Sequence, residues 1–211
     1  MDATKVFINC PFDNTFFPLL KCLLFTLIYI DLKPQISETS DSGEARLHKL
    51  KDLMKDSQFS IHDLSRVEAL KAGDLPRFNM PFECGIDFGL KLSNEVAFHS
   101  KRFLILETER YRYQRFISDI SGNDIKSHNN DPERMIKVVR DWFKTSFDNI
   151  PRHREIWLSY NEFEFDYESN LTADGYDPKD IEAFTFSDII DFMTPWITKH
   201  KARGDAAENN Q

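Results

Sequence analysis

In the stretch RFNMPFECGIDFG, residues 77–89, the carboxylate Glu83 stands two residues after a proline, just before a cysteine and at the opening of an apolar helix. With Pro81 in the first turn, Glu83 falls in that turn too, where the positive end of the helix dipole favours the ionised form by about 0.3–1 kcal/mol. An ionised carboxylate so placed caps the helix or faces a ligand, and one facing a sugar can stabilise an oxocarbenium-like carbon or attack it. Cys84 has no evident thiolate-stabilising partner and reads as a small buried residue. Gly85 and Gly89, one turn apart, read as places where the helix approaches a sheet.

Further polar groups sit at comparable points of the chain. CPFDN (10–14) follows a first apolar run and supplies Phe12, Asp13 and Asn14, of which one acid or amide is expected to cap the next helix. HDLSR (62–66) closes another apolar run. His62 there reads as a core residue, Asp63 and Ser65 as pocket-facing, and Arg66, with Arg77, as a candidate ligand for a pyrophosphate. ETSDSGEAR (38–46) ends a third run. The segment Ser65–Met80 is long for a connection and is expected to form a movable pocket wall.

These groups converge only if the runs before them are parallel strands. KVFINC (5–10), Gln35–Glu38, FSIHDL (59–64) and RFLILE (102–107) read as strands. The bulk before Pro34, Ala45–Ser57 with Leu47, Leu50, Leu53 and Met54 on one face, and Pro81–Ser93 read as the helices between them. Such alternation predicts a doubly wound, flavodoxin-like and mainly parallel α/β sheet flanked by helices over residues 1–110, with ligands at the carboxyl ends of the strands. Residues 111–201 read as a mostly helical extension packed on that core. A helix follows Asp131-Pro132 to about Phe147, further starts lie at Asp177-Pro178 and Ser187, and NEFEFDYE (161–168) reads as one strand. Residues 202–211 read as a flexible tail.

Composition narrows the chemistry. An apolar fraction of 41% builds a core, and a net charge of −8 argues against direct nucleic-acid binding. The apolar run CLLFTLIYI has nine residues, against about 20 needed to span a bilayer, and no export signal is visible, so no membrane contact and a cytoplasmic location are expected. Three scattered cysteines predict neither disulfide nor zinc. With seven glycines and neither GxGxxG nor GxxxxGK[ST], dinucleotide dehydrogenases and P-loop enzymes are unsupported. HExxH and GxSxG are missing as well.

The order of VFINCPFD, ISETSDSGEARLHKLKDLMKDSQFSIHDLSR and NMPFECG resembles the TIR-like superfamily, and the longer block resembles bacterial TIR-like defence effectors. FECGIDFG is also similar to the catalytic helix start of nucleoside 2-deoxyribosyltransferases. Both families break a bond between an anomeric carbon and a base nitrogen. The resemblance covers about residues 5–108 and implies that Glu83 is catalytic and that NAD+ is a substrate, with no cofactor. It further implies Phe12 or Phe82 stacking on a base, Asp13 and Ser65 positioning the ribose, and a homo-oligomer or protein activator switching the enzyme on in antiphage immunity. Asn79 stands where TIR enzymes carry tryptophan, which bears on substrate preference. The alternatives are a nucleoside or nucleotide N-glycosidase or deoxyribosyltransferase, which needs an acid such as Asp63, and a non-catalytic nucleotide-binding adaptor.

Overall fold

Val6 and Ile8 are buried against one layer of helices and Phe7 against another, as a strand buried on both faces requires. The structure, a computed structural model, describes residues 4–37, 46–69, 73, 75–182 and 184–208. Its sheet holds β1 (Lys5–Asn9), β2 (Lys33–Ile36), β3 (Phe59–Asp63), β4 (Arg102–Glu107) and β5 (Lys126–Ser127), all parallel, in the order β2-β1-β3-β4-β5. The fold is doubly wound α/β. The chain reverses its direction of travel across the sheet between β1 and β3, the point at whose carboxyl ends sheets of this kind bind ligands.

Helix α1 (Phe17–Tyr29) lies on one face and α2 (Arg46–Asp56) with α3 (Asn79–Leu92) on the other. Helix α4 (Pro132–Phe143), capped by Asp131 through Arg134 N, completes the first layer with Met135, Ile136, Val139 and Phe143. Helices α5 (His153–Ala173) and α7 (Phe186–Glu208) cover α1 through aromatic contacts, with Phe25 meeting Tyr160, Phe163 and Trp196. Between them lies α6 (Pro178–Glu182), begun by Asp177, whose Oδ1 accepts from Lys179 N and Asp180 N.

Several expectations need correction. NEFEFDYE lies inside α5: Phe163 and Tyr167, four apart, face the core, while Phe165 between them is 75% exposed. Helix α7 starts one residue before Ser187, at a reciprocal cap in which Asp188 N donates to Thr185 Oγ1 and Thr185 N to Asp188 Oδ2. It then runs through to Glu208, so most of the expected tail is helix. The sheet continues past residue 110 with β5, a strand too short to leave a periodic signal. A Cβ at Gly85 or Gly89 would meet nothing within 4 Å, so these glycines do not serve close helix–sheet approach. Residues 38–45 and part of the 65–80 connection lie outside the described residues.

Candidate functional site

Strands β1, β3, β4 and β5 each end in buried polar groups: Asn9 on β1 with Cys10 just after it, Asp63 on β3, Glu107 on β4, and Ser127 on β5 with His128 just after it. Burial pushes the Cys10 thiol well up, and the charges of Asp63, Glu83 and Asp13 add to it. One thiol thus senses carboxylates from three elements, and the bonds from Arg66 to Asp13 and from Asn9 to Met80 O bring the loops after β1 and β3 and the start of α3 to one rim. Among the described residues no three His, Cys, Asp or Glu side chains are gathered to hold a metal ion.

Helix α3 begins at Asn79, ahead of Pro81, with Phe78 at its cap and no capping side chain. Glu83 therefore lies in the second turn rather than the first, beyond the reach of the capping and dipole effects expected for it. It is 6% exposed, and burial raises its pKa despite the opposing charge of Arg46. Arg46, the first residue of α2, holds Nη2 3.6 Å from Glu83 Oε1 with its own side chain 47% exposed. That pairing was missed from the sequence, where nothing marks residues 46 and 83 as neighbours.

The other acids of the rim are committed to the fold. Asp13 accepts Phe16 N and Thr15 Oγ1 on Oδ1, at 3.0 and 2.6 Å, and receives Arg66 on both oxygens, at 3.1 and 3.2 Å. Burial would raise its pKa, but those bonds and the Arg66 charge hold it down to about 2. Arg77 Nη1 stands 3.7 Å from Asp13, with half of its side chain exposed. Arg77 N also donates to Arg66 O, which closes the 65–80 connection at its base, so the expected mobile wall is anchored where it is described. Asp63 is fully buried: Oδ1 accepts Ser65 N and Ser65 Oγ, and Oδ2 lies 3.1 Å from His128 Nε2. His128 Nδ1 accepts from Asn130 N, which leaves Nε2 as the ring nitrogen that approaches Asp63 from the end of β5. Ser65, 1% exposed, is likewise occupied, and neither it nor Asp63 faces an open pocket as expected.

The remaining expected side chains are accessible. Phe12 packs on Phe186 with centroids 5.1 Å apart and stays 40% exposed, Phe82 is 57% exposed, and Asn14 and Asn79 are exposed. Phe78 and Leu75 add to this apolar fringe around α3. His62 is a core residue, as expected: Nδ1 meets Asn9 Nδ2 at 3.0 Å and Nε2 meets Asp87 at 3.2 Å, while Asn9 also donates to Met80 O. Cys84 is buried and pushed up to about 12 by burial and by Asp87, which leaves it no nucleophile. Arg112 clamps Glu107 with two bonds and reaches Ser65 O, a second rim pair that the sequence did not reveal.

A cleft of 590 Å³ lies at the opposite rim, lined by Ile28, Leu32, Pro34, Ile190 and Ile197. None of the buried polar groups at the strand ends lines it. The chemistry of the residues, rather than cavity size, selects the carboxyl rim. Among the described residues no helix is long and apolar enough to cross a membrane. Comparison with protein-family models, curated proteins and solved structures returned no match.

Proposed function

We propose that the protein is an NAD+ glycohydrolase in which Glu83 stabilises the ribosyl cation formed as nicotinamide leaves. One observation carries this reading: Glu83 stays buried at the strand-end rim although burial raises its pKa and it caps nothing. The C1′–N bond breaks with its electron pair passing to the pyridinium nitrogen, so the base departs neutral. Water attacks C1′, and its proton passes to solvent. Such a substrate needs no strong acid, and Asp63, the acid that a poorer leaving base would require, is fully buried against Ser65 and His128. The exposed rings of Phe12 and Phe82 offer faces on which a base can stack.

The TIR-like resemblance extends the proposal to a bacterial immune effector of the cytoplasm, active as a homo-oligomer or with a protein activator. The exposed Leu75, Phe78 and Phe82 beside the site support a surface that assembly would cover. Incubating the assembled protein with NAD+, NADP+, ATP and nucleosides, with chromatography of the bases released, tests the reading. Nicotinamide release is the expected result. Nucleotide binding without release of any base would make the protein an adaptor module instead.

A further inference from the structure

Guanidinium–carboxylate pairs recur on the carboxyl rim, and looseness alone is shared, since Arg77 stands 3.7 Å from an Asp13 that Arg66 already holds; at Glu83 the loose guanidinium is the carboxylate's sole ion-pair partner among the described residues. Arg66 grips Asp13 at 3.1 and 3.2 Å, and Arg112 grips Glu107 at 2.9 and 2.5 Å, each by two nitrogens. Arg46 approaches Glu83 by a single nitrogen at 3.6 Å, beyond a good hydrogen bond, with nearly half of its side chain in solvent. Among the described residues Arg46 has no second ion pair, and one contact leaves most of its five N–H donors for other acceptors. A guanidinium held this loosely beside a buried carboxylate is available to another anion.

The identity of that anion follows from what Glu83 would face. A ribose whose C1′ lies against Glu83 carries a 5′ oxygen on the exocyclic C5′ of the same sugar, and in a nucleotide that oxygen bears a phosphate. We propose that Arg46 is an exchangeable counter-ion that leaves Glu83 for the 5′-phosphate of the substrate, which restricts turnover to nucleotides and excludes nucleosides. The inference rests on the N-glycoside reading of Glu83. The exchange has two effects at once: the phosphate gains a charged partner, and the carboxylate loses the positive charge that would blunt its attraction for the developing ribosyl cation. A nucleoside lacks the phosphate and so leaves Arg46 on Glu83. Discrimination therefore enters kcat as well as KM, which a residue that only holds α2 against α3 would not produce.

The test compares NAD+ with nicotinamide riboside, which has the same scissile bond and no phosphate, on the assembled full chain. Wild type is expected to prefer NAD+ by about 30-fold or more in kcat/KM. Arg46→Gln is expected to erase most of that preference, with a fall on NAD+, whose phosphate loses its partner, and no fall on the riboside, for which Glu83 is relieved of the guanidinium, and Arg46→Lys to restore part of it. Equal losses on both substrates, or no loss on either, would overturn the proposal. If wild type releases base from neither, the N-glycosidase reading fails by itself, and calorimetric binding of AMP against adenosine then decides the role of Arg46. A preference for AMP that disappears in Arg46→Gln keeps the phosphate assignment; a preference that survives, or none in wild type, overturns it.

Discussion

Glu83 and Asp87 lie one helical turn apart on α3, and burial acts against the charge of both, yet their surroundings move them in opposite directions. For Asp87, burial is outweighed by His62 at 3.2 Å and by Lys101 at 3.1 Å, and its pKa is lowered. Lys101 also donates to Met54 O and Ser57 O, so one buried ammonium closes the end of α2 and pairs with α3. Burial lowers the Lys101 pKa even though Asp87 opposes it. The two shifts differ in sign for their effect on the pair, and the short contacts on both sides favour the charged pair. For Glu83 the half-exposed Arg46 does not offset burial, and the pKa is raised. A carboxylate paired with a buried ammonium and a buried histidine serves the fold; one kept buried and undercompensated at a strand-end rim is a candidate for chemistry.

The contrast is broken most strongly through Asp87. Asp87→Asn leaves Lys101 charged and buried without its counter-ion and is expected to cost about 3–5 kcal/mol, read as a lower urea midpoint at unchanged slope. The double variant Asp87→Asn with Lys101→Met should recover much of that loss, since it removes both charges. A single variant within about 1 kcal/mol of wild type would show that the network is not integral to the fold. Next in size is the rate effect at Glu83. Glu83→Gln should lower base release by about 100-fold or more, or roughly 2.7 kcal/mol of transition-state stabilisation, while ligand binding persists. Turnover within about threefold of wild type would remove Glu83 from the chemistry.

Acid titration separates the two residues by sign. The lowered pKa of Asp87 contributes stability that is fully present above its unfolded value, about 3.9, and is lost as pH falls below it towards the folded pKa. The raised pKa of Glu83 does the reverse. Its ionisation opposes folding above the folded pKa, and that cost fades as pH falls from the folded value towards the unfolded one, about 4.3. Stability profiles of Glu83→Gln and wild type should therefore converge as pH is lowered through the folded pKa of Glu83. Asp87→Asn should flatten the loss of stability below about pH 4. Parallel profiles for all three proteins would abolish the distinction.

The sheet was legible where a strand is an apolar run ending in polar residues, and Arg102–Glu107 matches the expected limits, whereas KPQI begins at Lys33 and ends at Ile36 rather than running from Gln35 to Glu38, and KS carries no such pattern. The NEFEFDYE segment was not legible, because eight residues with aromatics at every second position fit a strand while two of those aromatics also fit a helix face. At the candidate site, Glu83 was singled out from local sequence, but its turn was misplaced because Pro81 is compatible with several positions near a helix start. Asp63 and Ser65 were expected to face a pocket, and only the folded chain supplies His128, 65 residues after Asp63, that turns them inward. Pairs such as Arg46–Glu83 and Arg112–Glu107 depend on which helix or turn lands beside which strand, information that no local pattern carries.

The smallest expected effect is the stability of Glu83→Gln, and it refines the comparison most closely. A capping carboxylate would lose stability on becoming an amide, by about 0.5–1 kcal/mol. Glu83 is not at the cap, and its raised pKa means that folding already acts against its charge, so removal of that charge should not weaken the fold at pH 7. Arg46 brings solvent to the pair and screens both the burial cost and the attraction, which keeps the net change below about 1 kcal/mol. For a chain of this length, that corresponds to a melting temperature equal to wild type or higher by at most about 4 °C. The Asp87 substitution should shift it downward by several times as much. A Glu83→Gln protein that melts well below wild type would mean that Glu83, like Asp87, is held in place for the fold, and the separation of roles along α3 would fail.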